Sequence, residues 1–285
     1  MITTSAVVMS FLDVHDMPTD RSSRRLLAAF EPLRAGMELA ALGVSALPLA
    51  LAPRGDGHRV LVLPGLGASD VSTAVLRRYL SFLGYEALPW ELGRNLGFAQ
   101  RWDALEERFT TLLDAACAAG KDVSVVGQSL GGTMAIRLAA RFPGHLRRVV
   151  TLGSPVTGSA AGVQPLVRAM YRRFNGVPNG SNGVGAGGAM PAGEADGATR
   201  ASADAISDTN NIAGPRITTI FSRTDGIVPW ELAHREDGDA EAIEVRGSHF
   251  GMASNAGVLY AVADRLAEKA GRRFAAPALL QGYFP

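Results

Sequence analysis

The chain has a single cysteine, Cys117, among 285 residues, which excludes an intrachain disulfide. Neither sign of charge is in excess. With 28 Lys and Arg against 27 Asp and Glu the net charge is +1, so nothing draws the protein electrostatically to nucleic acid. The five histidines form no cluster with cysteine or carboxylates at metal-ligand spacing, so no metal is expected. Gly65-Leu66-Gly67 lacks the third glycine of a dinucleotide loop, and no other cofactor motif stands out. Long apolar runs are missing too. Leu39 to Pro53 carries no charge, but it contains Gly43 and Pro48 and is shorter than the roughly 20 residues that span a bilayer. Ala6 to Leu12 lacks the basic flank and small-residue cleavage site of a secretory leader. The expectation is a cytoplasmic protein whose N-terminal segment packs on the main domain, with contact to a membrane surface left open. Nothing in the sequence speaks to oligomeric state.

What is present describes a globular chain with a sizeable core. Hydrophobic residues make up 47% and charged residues 19%, enough apolar material for one large α/β core. Residues 1–57 read as an N-terminal extension with a helix over Arg24 to Leu42, broken or restarted at Pro32. Residues 58–285 read as the main domain. His58 to Leu63 is a strand, and Ser69 to Leu83 a helix with Val71, Val75, Tyr79 and Phe82 on its apolar face. Tyr85 to Trp90 is a strand, Gln100 to Ala119 a helix stopped by Gly120, and Leu146 to Leu152 a further strand. Cys117, in Asp114 to Ala119, reads as a small buried apolar residue in that helix. Strands alternating with helices predict a mostly parallel sheet covered on both faces. Residues 158–214 break the rhythm. Val163 to Phe174 suits a helix, and Asn175 to Arg200 is rich in Gly, Ala, Pro and Asn. A cover over the site and a passive insertion both fit that composition.

The chemistry is concentrated around Ser129. A β-branched run, Asp122 to Val126, leads into Gly127-Gln128-Ser129-Leu130-Gly131 and then a helix. Gly127 and Gly131 make room for a sharp strand-to-helix turn that exposes a serine hydroxyl above a helix N-terminus. A serine needs a base, and the base needs an orienting acid. His249 lies in a loop of small residues after the short strand Ala242 to Val245, and Asp225 follows the strand beginning at Ile217. Asp237, Asp239, Glu241 and Glu244 are weaker candidates for the acid, because none ends a predicted strand in this way. His145 and His234 read as surface. Upstream, the strand Val60 to Leu63 runs into Pro64-Gly65-Leu66-Gly67, a loop able to offer a backbone N–H from Leu66 beside that of Leu130.

Four blocks, LVLPGLG, VVGQSLGGTMA, TTIFSRTDGIVPW and VRGSHFGMASN, resemble the α/β-hydrolase superfamily, in particular small bacterial esterases and lipases without a large cap domain. The resemblance covers about His58 to Leu266. It implies an α/β-hydrolase fold and a carboxylic ester hydrolase. It further implies a catalytic triad of Ser129, Asp225 and His249, with an oxyanion hole formed by the N–H groups of Leu66 and Leu130. Many relatives carry His-Gly where this chain has Pro64-Gly65, so any role of a loop histidine does not transfer. Acyl transfer, or hydrolysis of thioesters or polyesters, would suit the same scaffold, and a noncatalytic hydrolase-like binding protein is the remaining alternative. The apolar residues near the motifs, Phe250, Met252 and Trp230 among them, point to an apolar acyl group.

Overall fold

The computed structural model describes residues 21–157, 215–238, 240–269 and 271–285. The expected insertion over 158–214, including the helix from Val163, lies outside the described residues, as do residues 1–20.

The described chain begins with helices α1 (Arg21–Ala41) and α2 (Ala46–Ala50). Strand β1 (Arg59–Leu63), helix α3 (Ala74–Leu83), strand β2 (Glu86–Pro89), helix α4 (Phe98–Ala118) and strand β3 (Val123–Gln128) follow. Next come helix α5 (Leu130–Arg141) and strands β4 (Arg148–Leu152) and β5 (Arg216–Phe221). Helix α6 (Trp230–Ala233), strand β6 (Ala240–Glu244) and helix α7 (Ala256–Ala267) complete the domain. The six strands form one sheet in the order β2-β1-β3-β4-β5-β6, and every pairing is parallel. The expected α/β fold is therefore present.

Both faces of a parallel sheet are covered, so its strands read as continuous apolar runs. Alternation within a strand decides which core a residue joins. Val60 and Val62 of β1 face α3 and α7, packing with Leu76, Leu80, Val258 and Val262. Leu61 and Leu63 face α4 and α5, with Leu105, Phe109, Met134 and Leu138. The chain starts the sheet at β1, steps outward to β2, then crosses back to β3 on the other side. That reversal opens a crevice at the carboxyl ends of β1 and β3, the usual place for a ligand in such sheets.

Four local expectations need correction. Helix α1 runs through Pro32 without a break. The missing N–H is tolerated because Leu27 on one side, and Arg34 and Glu38 on the other, are buried in the domain. Helix α3 starts at Ala74 and buries Leu76, Leu80 and Leu83 at i, i+4 and i+7, whereas Val71 and Phe82 are exposed. Cys117 is exposed. Helix α4 turns Leu105, Phe109 and Ala116 inward, and a residue one step from Ala116 is rotated by about 100° away from that face. Finally, Met252 is fully buried in the core beside α7, and Trp230 packs near Phe221 under the Arg223 guanidinium. Full burial takes Met252 out of the walls of an acyl site.

Candidate active site

Strand β3 is fully buried and delivers Ser129 at its carboxyl end, as the N-cap of α5. Ser129 has φ 52° and ψ −123°, a backbone region costly to a residue with a side chain. The neighbouring glycines make the turn possible. A Cβ at Gly127 would lie 2.3 Å from the Gly131 carbonyl oxygen, and one at Gly131 would lie 2.5 Å from that of Leu63. The Ser129 N–H donates to Leu152 O at 2.8 Å, tying the turn to β4.

The loop after β1 closes on the same point. A Cβ at Gly65 would meet the Ser129 Cβ at 3.2 Å, so Leu66 is one residue from direct contact with the serine. Among the described residues, neither the Leu66 N–H nor the Leu130 N–H donates to a backbone acceptor. Leu130 opens α5, where the first N–H groups have no intrahelical partner. Asn95 holds this loop in place and was not anticipated from sequence. It is fully buried, its Nδ2 donates to Pro64 O at 2.8 Å, and its Oδ1 accepts from Gly97 N at 3.1 Å. Its backbone N–H donates to Ala68 O, and its carbonyl accepts from Gly67 N.

Asp225 and His249 meet at the carboxyl end of β5 and β6. Asp225 Oδ2 lies 2.7 Å from His249 Nδ1, and both side chains are buried. The other oxygen, Oδ1, accepts the N–H groups of Ile227 and Val228, each at 2.8 Å, which fixes the carboxylate. Gly153 lies directly beneath, with φ +54°; a Cβ there would lie 3.0 Å from Asp225 Oδ2 and 2.9 Å from Met252 Sδ. Gln128, the residue before Ser129, donates from Nε2 to the His249 carbonyl at 3.0 Å and so joins the serine turn to the histidine loop. Burial alone would lower the His249 imidazole. The Asp225 charge and hydrogen bond, with Glu31 behind them, carry it above its ordinary value. The rival acids are otherwise engaged: Asp237 pairs with Arg235, Glu241 with Arg265, and Glu244 with Arg223. Asp239 lies outside the described residues. His234 closes α6 with its ring against Phe221, and His145 is exposed in a turn.

Helix α1 supplies three further charged groups that no sequence pattern announced. Glu31, Arg34 and Glu38 are all buried. Glu31 accepts from Gly226 N at 2.9 Å and from Phe250 N at 3.0 Å. Arg34 donates to Thr224 O at 2.7 Å and to Gly247 O at 3.1 Å. Glu38 accepts from Ser248 N at 2.6 Å and from Asn255 Nδ2 at 3.2 Å.

A second Ser-His-Asp contact set sits at the opposite, amino edge of the sheet. His58 Nε2 is 3.0 Å from Ser124 Oγ, and its Nδ1 is 2.6 Å from Asp56 Oδ1. Ser124 is fully buried within β3, which is paired on both sides, so no substrate reaches it. Arg147 binds Asp56, and burial lowers the His58 imidazole. This set joins strands and loops at the base of the sheet. No group of three or more His, Cys, Asp or Glu among the described residues is arranged to hold a metal, and no described helix is long and apolar enough to cross a membrane.

The profile of a family described as "Putative esterase" matches residues 89–223, a stretch that contains Ser129. No curated protein matches the chain in sequence. Among solved structures, the Paleococcus ferrophilus monoacylglycerol lipase shares 17% identity at a TM-score of 0.50, covering 76% of this chain and 96% of that one. A soluble variant of the Saccharomyces cerevisiae monoglyceride lipase shares 14% identity at a TM-score of 0.48, covering 76% of this chain and 91% of that one. At such identities the first likeness speaks for the fold, which agrees with the parallel sheet and its crossover. The chain thus has the α/β-hydrolase fold, and its residues 89–223 are similar to the family described as "Putative esterase".

Proposed function

We propose that the protein hydrolyses carboxylic esters through an acyl-enzyme on Ser129. The observation that carries this reading is the strained serine turn joined through Gln128 to a buried His249–Asp225 pair. Asp225 occupies Nδ1 of the imidazole, which leaves Nε2 to act as the base. In the first half-reaction Ser129 Oγ attacks the ester carbonyl while His249 takes its proton. The carbonyl oxygen becomes an oxyanion received by the N–H groups of Leu66 and Leu130. The intermediate collapses, His249 gives the proton to the leaving alcohol, and the acyl group stays on Ser129. Water, deprotonated by His249, then attacks the acyl carbonyl and releases the acid. The half-buried Leu66 and Leu130 side chains beside the serine favour an apolar acyl group.

Two measurements test the reading together. A fluorophosphonate should label the wild-type protein at Ser129, and a panel of p-nitrophenyl esters of rising acyl length should be turned over. Ser129→Ala should keep the fold by circular dichroism, lose the label, and lose roughly 10³-fold or more in kcat. A folded Ser129→Ala protein with near-normal turnover would refute the assignment.

A further inference from the structure

We infer that Glu31 of helix α1 is a positioning residue for the Asp225–His249 pair, setting both its geometry and its charge. The inference rests on the proposed triad but on separate contacts. One carboxylate spans two loops that are far apart in sequence. Its Oε1 accepts the N–H of Gly226, the residue after Asp225, and its Oε2 accepts the N–H of Phe250, the residue after His249. No other described side chain bonds to the residue following each member of the pair. The helix backbone itself packs tightly here: a Cβ at Gly226 would lie 2.5 Å from Ala28 N. The acid turn is thus pressed against α1 at the point where Glu31 grips it.

Flanking contacts make the grip rigid. Arg34, three residues on, binds the Thr224 carbonyl and the Gly247 carbonyl, and its Nη1 stands 3.4 Å from Glu31 Oε1. Glu38 holds Ser248 N, one residue before His249. Helix α1 therefore bonds to residues 224 and 226 around the acid, and to 247, 248 and 250 around the base.

Charged neighbours of Glu31 come from three elements: Arg34 on its own helix, Asp225 from the loop after β5, and His249 from the loop after β6. Burial, and then the Asp225 charge, push its carboxyl up to about 7, against the pull of its two N–H donors and His249. Ionised Glu31 in turn favours the imidazolium form of His249. The group accordingly changes charge in the range where a histidine base works.

The test is Glu31→Gln. An amide offers one oxygen, so its NH₂ must face one of the two backbone N–H donors. We expect kcat to fall by up to about 10²-fold, the cost of a small misplacement of the reacting groups. KM should stay near wild type. With the negative charge gone, the acidic limb of the kcat/KM profile should move to lower pH. A variant with unchanged kcat and an unmoved limb would overturn the proposal. If Glu31→Gln does not fold, the unmodified protein still decides. Histidine-labelled NMR should show the His249 ring responding to two protonations, its own and that of Glu31 near pH 7. A single inflection would overturn the part of the proposal in which Glu31 sets the charge of His249. Fluorophosphonate labelling of wild-type Ser129 tells a failure of this inference from a failure of the triad itself.

Discussion

Ser129 and Asp225 show how much a single residue's role depends on what surrounds it. The Ser129 backbone angles cost on the order of 1–3 kcal/mol, and they persist because Gly127 and Gly131 let strand, helix and loop crowd together. Asp225 accepts two N–H groups and the imidazole, so its geometry is set by three donors. An amide at this position favours the wrong imidazole tautomer. Asp225→Asn should therefore lower kcat by about 10⁴-fold, as in the best-studied triad. Asp237→Asn should leave kcat near wild type, since Asp237 is an exposed partner of Arg235. Steady-state kinetics on the pair of variants decide between the acids. The pH profile follows from the same contacts. His249 must be neutral to act as a base, and its affinity for a proton is raised. Activity should thus rise with pH through a limb more alkaline than that of a free imidazole, measurable as kcat/KM against pH.

At the scale of elements, two segments away from the triad order the site. The loop after β1 is pinned by Asn95, which binds Pro64 O through its side chain and Gly67 and Ala68 through its backbone. Asn95→Ala strands a buried carbonyl and a buried N–H. Each unpaired group costs about 1–3 kcal/mol. Denaturant unfolding should show that loss. The rate of fluorophosphonate labelling should fall with it, if the Leu66 N–H serves the oxyanion as proposed, because the loop that carries it is no longer pinned. The serine turn was legible in sequence because its signal is local: a β-branched strand, two glycines and a helix within ten residues. Asn95 was not legible, since its partners lie about 30 residues away and its neighbourhood reads as an ordinary turn. The buried face of helix α1 was not legible for a related reason. Periodicity assumes that apolar residues face the core, yet Leu26, Phe30 and Leu33 are exposed while Glu31, Arg34 and Glu38 are buried. Buried charges survive only with partners, and those partners come from residues 224–255.

Across the whole molecule, these buried carboxyls tie stability to pH. Glu31 has a folded value of about 7 against 4.5 for the free side chain. Its protonation therefore favours the fold. That stabilisation is complete below pH 4.5 and is lost as pH rises through about 7. Glu38 and His249, also raised, act in the same direction, whereas the lowered His58 opposes them. The contribution of Glu31 is isolated by difference. Between pH 5 and pH 8 the melting temperature of the wild type should fall relative to that of Glu31→Gln, read by thermal scans of both proteins. Parallel curves would show that Glu31 does not change protonation in this window.

The amino-acid sequence by itself determined the alternation of strands and helices, the serine turn, and the order of Ser129, Asp225 and His249. Each of these rests on short-range patterns: residue spacing, β-branching, and glycines where backbones crowd. The tertiary structure alone decided which faces of α1 and α3 are buried, that Cys117 is exposed, and that Met252 belongs to the core. It alone brought Asn95, Gln128 and Glu31 to the loops they hold. A buried polar side chain is stable only against donors and acceptors that folding brings to it, and here Glu31 meets partners 195 and 219 residues further along the chain.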